Sequence, residues 1–147
     1  MSERSRSRVN RQKDFLLDTH VLYYLDANPE KLIPAKVLGA LRLADRQVFI
    51  STVTPWEMSI KHHLGKWPEV KNLLDDYANT LIAYGFLELP LQTEAALLAG
   101  QLPSLHRDPF DRVLISQAII HQLALVSSDP LIHGYMTPLP ELQVLWN

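Results

Sequence analysis

The sequence has no cysteine, only 5 glycines, and no apolar run that approaches the ~18 residues needed to span a bilayer. Each shortage excludes a class of protein. Without cysteine there is no disulfide scaffold, no thiolate zinc site, no iron–sulfur cluster and no thiol nucleophile. So few glycines leave no Gly-rich loop to cradle phosphate. The best apolar stretch, residues 113–126, is interrupted by Ser116, Gln117, His121 and Gln122. The basic start is followed by only Phe15-Leu16-Leu17 before Asp18, which is not a signal-peptide core. A cytosolic protein with no membrane partner is the expectation.

What is present is globular. Of 147 residues, 47% are hydrophobic and 20% charged, the balance of an ordinary single domain. A chain of this size buries roughly 70% of its surface, enough for a core without staples. The net charge of -2 is unevenly spread. Residues 1–13 carry Arg4, Arg6, Arg8, Arg11 and Lys13 against Glu3, and no apolar periodicity; they read as a flexible basic tail. The remainder, 14–147, is acidic, which argues against a broadly basic protein that coats nucleic acid.

Periodicity lays out the rest. Strands are expected at 15–17, 48–50, 86–89, 124–126 and 143–146, short and apolar on both faces. Helices are expected at 20–26, 34–45, 54–65 with Thr54 as N-cap, 68–84 stopped by Gly85, 93–102, and 109–122 with Asp108 as N-cap. Alternation of this kind predicts an α/β fold of three layers, with a mostly parallel central sheet of four to five strands and helices on both faces.

The carboxylates fall where such a sheet binds ligands. Asp18 and Asp129 follow strands, Glu57 sits in the first turn after a strand, and Asp108 and Asp111 open a helix. The crevice beyond the strand carboxyl ends is the usual ligand site. Asp111 reaches it only if the loop at 102–107 returns the helix start to that edge. Each acid also has a plain structural explanation. Acids favour helix N-termini; Glu57 would complete a capping box with Thr54, Asp108 would be a simple cap, and Asp129-Pro130 a turn. As a set they are harder to dismiss. Two carboxylates ~4 Å apart repel by about 4 kcal/mol at a protein-like dielectric. A divalent cation removes that cost, and hard oxygen donors favour Mg²⁺ or Mn²⁺. An all-carboxylate cleft of this kind points to phosphodiester hydrolysis.

Four blocks carry a family resemblance: Leu16-Leu17-Asp18-Thr19-His20, Pro55-Trp56-Glu57-Met58-Ser59-Ile60-Lys61, Arg107-Asp108-Pro109-Phe110-Asp111-Arg112 and Val126-Ser127-Ser128-Asp129. In order and spacing they resemble PIN-domain ribonucleases, and within these the VapC-like toxins of bacterial type II toxin–antitoxin pairs. The similarity covers residues 14–147. It implies a PIN-like fold and Mg²⁺-dependent endoribonuclease activity that leaves 5′-phosphate and 3′-hydroxyl ends. It further implies a homodimer, an RNA substrate and a cognate antitoxin. By position Asp18, Glu57, Asp111 and Asp129 match the four family acids, which would be both the metal ligands and the catalytic residues. Ser127 stands where the family often has Thr and keeps the hydroxyl.

Around these blocks Thr19, His20, Asp108 and Ser127 are read as supporting the acids or touching substrate; Lys61, Lys66, Arg107 and Arg112 read as solvated or dipole-balancing charges, with phosphate contacts along an RNA as their functional alternative. The other histidines show no zinc-protease spacing and read as surface or packing residues. Trp56 and Trp67 read as packing rather than base-stacking groups. Two rivals are a non-catalytic interaction module of the same fold, whose acids only cap helices, and another metal-dependent phosphoesterase. The absence of an Asp-x-Asp start after the first strand weighs against the haloacid-dehalogenase kind.

Overall fold

Strands that are apolar on both faces belong inside a covered sheet, and that is where this chain puts them. The computed structural model describes residues 12–147. It contains β1 (Phe15–Leu17), β2 (Val48–Ser51), β3 (Leu87–Leu89), β4 (Ala124–Val126) and β5 (Gln143–Leu145). They form one sheet in the order β3-β2-β1-β4-β5, with every neighbouring pair parallel. In β1 and β4 each residue is buried, and Phe15 lies opposite both Val48 and Ala124.

The period of two splits these strands between two cores. Phe15, Leu17, Ala124 and Val126 join a cluster with Leu22, Met58, Trp67 and Leu73. Leu16 and Leu125 join the opposite cluster with Leu114, Ile115, Ile132 and Tyr135. The first layer contains α1 (Thr19–Ala27), α2 (Pro29–Leu32), α3 (Ala35–Leu41), α4 (Val53–His63), a 3-10 turn at Pro68–Val70, α5 (Lys71–Asp75) and α6 (Tyr77–Tyr84). The second contains α7 (Thr93–Gln101), α8 (Pro109–Ile120), α9 (Pro130–His133) and a 3-10 turn at Gly134–Met136. The three-layer α/β architecture expected from the alternation is therefore present, with a fully parallel sheet. Among the described residues no helix is long and apolar enough to cross a membrane.

Several boundaries differ from the sequence reading. The helix expected at 34–45 ends at Leu41. The long helix expected at 68–84 is three pieces: the 3-10 turn at Pro68–Val70 precedes α5, and α5 is parted from α6 where Asp76 takes non-helical dihedrals (φ -128°, ψ 33°) and accepts a hydrogen bond from Asn79 Nδ2. Gly85 does end α6, with φ at 72°, a region glycine occupies without strain. α4 begins one turn position early, at Val53, so Thr54 is inside the helix and is not its cap. Of the expected basic tail, only Gln12 and Lys13 fall within the described residues; Lys13 Nζ donates to Glu141 O at 3.3 Å.

The strand order creates the site. The chain builds β1, β2 and β3 outward in one direction, then returns to place β4 on the other side of β1. Crossovers leave β1 and β4 on opposite faces, which opens a crevice at their carboxyl ends. Asp18 follows β1 at that point, and its N–H donates to Val126 O of β4 at 3.0 Å.

Candidate active site

The two central strands supply the first pair of groups. Asp18 is buried and caps α1, weakly accepting the His20 N–H at 3.4 Å. Its Oδ2 accepts a 2.6 Å hydrogen bond from Ser127 Oγ, one residue beyond β4. Ser127 Oγ in turn accepts the Asp129 N–H at 3.1 Å. One hydroxyl thus links the residue after β1 to the turn after β4. Asp129 Oδ1 caps α9 by accepting the Leu131 N–H at 2.9 Å, so the capping and cleft readings of these acids hold together.

Glu57 arrives from α4. The capping box expected with Thr54 does not form. Thr54 is buried, and its Oγ1 lies 3.3 Å from Thr19 Oγ1, so the pair joins α1 to α4 in the interior. Ser51 Oγ accepts the Val53 N–H instead. Glu57 is only 2% exposed and is left free to face the crevice. Its Oε2 accepts from Lys61 Nζ at 2.5 Å, while its Oε1 is buried with no hydrogen-bond partner among the described residues.

Asp111 comes from the other layer. Asp108 caps α8, accepting the N–H groups of Phe110 at 2.9 Å and Asp111 at 3.4 Å. That cap places Asp111 in the first turn, buried against the crevice. The preceding loop does return the helix start to the sheet edge, and Arg112 holds it there. The guanidinium donates to the carbonyls of Ala99, Leu102, Pro103 and His106 and to the Tyr135 hydroxyl. This corrects the reading of Arg112 as a phosphate contact: its donors go to backbone carbonyls and the Tyr135 hydroxyl of the chain itself.

An open cavity of about 380 Å³ is lined by Asp18, Glu57, Asp108, Asp111 and Asp129, together with His20, Lys61 and His106. Its electrostatics are those of crowded like charges. Burial raises the Asp111 pKa, and the charges of Asp18, Asp108, Glu57 and Asp129 raise it further, to about 8. Burial likewise raises Asp18, against the lowering effect of the Ser127 hydrogen bond. Burial pulls the Lys61 ammonium down, but the hydrogen bond and charge of Glu57 outweigh it and leave its pKa raised. These groups suit a divalent cation. The carboxylates come from four separate elements, and Glu57, which lines the same cavity, keeps a buried Oε1 with no hydrogen-bond partner among the described residues. Such an atom costs about 1–3 kcal/mol unless something pairs with it.

The residues at the rim divide. His20 is exposed, and its ring stacks on Trp67 at 4.6 Å and 20°; Trp67 packs in the core as expected. Trp56 does not. It is 59% exposed and meets Phe110 edge-on at 5.1 Å. The sequence reading missed His106. Its Nε2 lies 2.8 Å from Asp111 Oδ2 and 3.3 Å from Asp129 Oδ2. These three side chains offer ligand atoms all within 4.8 Å of one another. Zinc-protease spacing was the wrong test for it. The available signal was a histidine two residues ahead of a cap-Pro-x-acid block.

Residues 15–133 match the PIN domain among known protein families. The chain belongs to the PIN-domain family. A search of curated proteins finds no match to this PIN domain. Solved structures do resemble it. VapBC2 of Rickettsia felis, solved with a promoter DNA fragment, aligns with a TM-score of 0.64 at 16% identity over 90% of this chain and 98% of that one. A toxin–antitoxin complex of Klebsiella pneumoniae aligns with a TM-score of 0.60 at 17% identity, covering 90% and 96%. FitAcB of Neisseria gonorrhoeae aligns with a TM-score of 0.59 at 20% identity, covering 90% and 96%. At such identities the likeness is one of fold, and it spans nearly the whole PIN domain.

Proposed function

We propose that this PIN domain is a divalent-metal-dependent endoribonuclease and the toxin of a toxin–antitoxin pair. The observation that carries the reading is the convergence of Asp18, Glu57, Asp111 and Asp129 on one cavity, with the Asp111 pKa raised to about 8 by burial and then by the neighbouring acid charges. Helix capping alone would not require the four to meet. Asp18 and Asp111 would be the principal ligands of Mg²⁺ or Mn²⁺, with Glu57 and Asp129 completing the set. When bound, the cation supplies a Lewis acid that lowers the pKa of water at the site and offsets phosphodiester charge. Ser127 fixes the rotamer of Asp18, and Lys61 fixes that of Glu57. The Lys61 side chain is also 32% exposed, which leaves it able to meet a substrate phosphate. His20, held flat against Trp67, presents an exposed ring at the same rim.

Single-stranded RNA incubated with the protein and Mg²⁺ should be cut to fragments with 5′-phosphate and 3′-hydroxyl ends. EDTA, Asp18→Asn or Asp111→Asn should each stop the cutting while the protein stays folded. Wild-type rates in both variants would end the proposal. The toxin assignment rests on the complexes to which the fold is similar. Expression of the chain alone should arrest bacterial growth, and Asp111→Asn should relieve the arrest. The same likeness supports an antitoxin partner and a homodimer of the domain spanning residues 14–147, measurable by light scattering of the purified protein. A cytoplasmic location accords with this role.

A further inference from the structure

His106 is the cavity residue for which the metal reading has no task. It stands in the loop that Arg112 and Tyr135 pin: its N–H donates to Tyr135 Oη at 3.0 Å, and its carbonyl accepts from Arg112 at 3.2 Å. Tyr135 Oη donates onward to Pro103 O at 2.6 Å. The backbone of His106 is therefore fixed at both ends of the residue, and the imidazole is aimed rather than free. Its two nitrogens face different kinds of group. Nδ1 lies 3.4 Å from the Asp108 N–H, which can only donate. Nε2 lies 2.8 Å from Asp111 Oδ2 and 3.3 Å from Asp129 Oδ2. Because Nδ1 accepts the Asp108 N–H, the ring N–H is left on Nε2, facing the two acids.

We infer that His106 is a positioning residue: its Nε2 pairs with Asp111 on α8 at 2.8 Å while standing 3.3 Å from Asp129 in the turn beyond β4, and so holds the two acids at the spacing a divalent cation requires. The inference rests on the metal reading given above. It adds that the imidazole acts through the acids and does not itself ligate. The arrangement explains why a histidine sits among carboxylates without making a nitrogen-rich site. It also gives Arg112 and Tyr135 a purpose, since they set the loop that carries the imidazole. Outer partners of ligating groups typically change metal affinity by about 10–100-fold when removed.

The test uses the full chain and Mn²⁺ alone as probe. Mn²⁺ affinity is measured by calorimetry for the wild type, His106→Ala and His106→Gln, with thermal unfolding of each as a check that it folds. The Gln amide can place an N–H where Nε2 stands but offers no nitrogen lone pair. His106→Ala should weaken Mn²⁺ binding by about tenfold or more, and His106→Gln should restore it to within a few-fold of wild type. Pulsed electron paramagnetic resonance of the Mn²⁺-loaded wild type should show no coupling to a directly bound imidazole nitrogen. A clear nitrogen coupling, or a Gln variant as weak as the Ala variant, overturns the inference in favour of direct ligation. Unchanged binding in His106→Ala overturns it outright while leaving the metal reading intact. No Mn²⁺ binding by the wild type overturns both.

Discussion

The bodies of β1 and β4 contrast sharply with the few residues just beyond them. Phe15-Leu16-Leu17 and Ala124-Leu125-Val126 are apolar and at most 1% exposed. Immediately past them lie Asp18, Thr19 and Ser127, also buried and all polar. The strands are held by removing apolar surface from water, at about 25 cal/mol per Å². The residues beyond them are held against a desolvation cost, by the Ser127–Asp18 hydrogen bond and the Thr19–Thr54 contact. The contrast separates two duties: the first region makes the sheet, and the second spends part of that stability on clustered charge.

Substitution should pull the two duties apart. The largest effect belongs to the charged region: Asp18→Asn or Asp111→Asn should lower RNA cleavage by about a hundred- to a thousandfold, judged from what preorganised charge contributes at such sites. Next comes the apolar region. Leu125→Ala, in the middle of β4, should cost about 2–5 kcal/mol in denaturant unfolding. The Mn²⁺ affinity of the fraction that stays folded should hardly change. Loss of cation binding with little loss of stability in Leu125→Ala would erase the distinction.

Ser127→Ala sits at the border and should affect both regions modestly. Removing the Asp18 partner should weaken cation binding by about 10–100-fold, with about 1–2 kcal/mol lost on unfolding, measurable by calorimetry and denaturant titration.

The charged region should also reveal its cost through pH. The folded-state pKa of Asp111, about 8, lies above its ordinary value of 3.8. The folded protein therefore binds this proton more tightly than the unfolded chain. In the absence of metal, its contribution makes stability fall as pH rises from about 4 to about 8, and the loss is complete above that. Asp111→Asn should remove this slope and melt higher than the wild type at pH 8 without metal, by about 0.5–2 kcal/mol. Saturating Mg²⁺ should reverse the order. The smallest effect is expected far from the site. Lys71–Asp75 is an exposed i,i+4 pair of the same 2.5 Å length as Lys61–Glu57, yet Lys71→Ala should shift stability by less than about 0.5 kcal/mol.

The two regions were also unequally legible in the sequence. The strands could be read because β1 and β4 are apolar at every position, a pattern with few other uses in a chain this size. The acids could be read as a set because strand ends share one edge of a parallel sheet. Thr54-Pro55 misled because the cap-and-proline pattern also fits a helix that has already begun. Proline is tolerated anywhere in the first turn, where N–H groups lack partners. The break at Asp76 carries neither glycine nor proline and left no local mark. Arg112 and His106 were misjudged for a common reason: their roles depend on a loop without periodicity, 102–107, whose path is set by Tyr135 from 29 residues beyond His106.

The most direct test of the whole account is anomalous scattering from crystals of the wild-type protein equilibrated with saturating Mn²⁺. The account expects a peak in the crevice between β1 and β4, at roughly 2.0–2.4 Å from carboxylate oxygens of Asp18 and Asp111. A well-ordered crystal at saturating Mn²⁺ with no peak between those two side chains would contradict it.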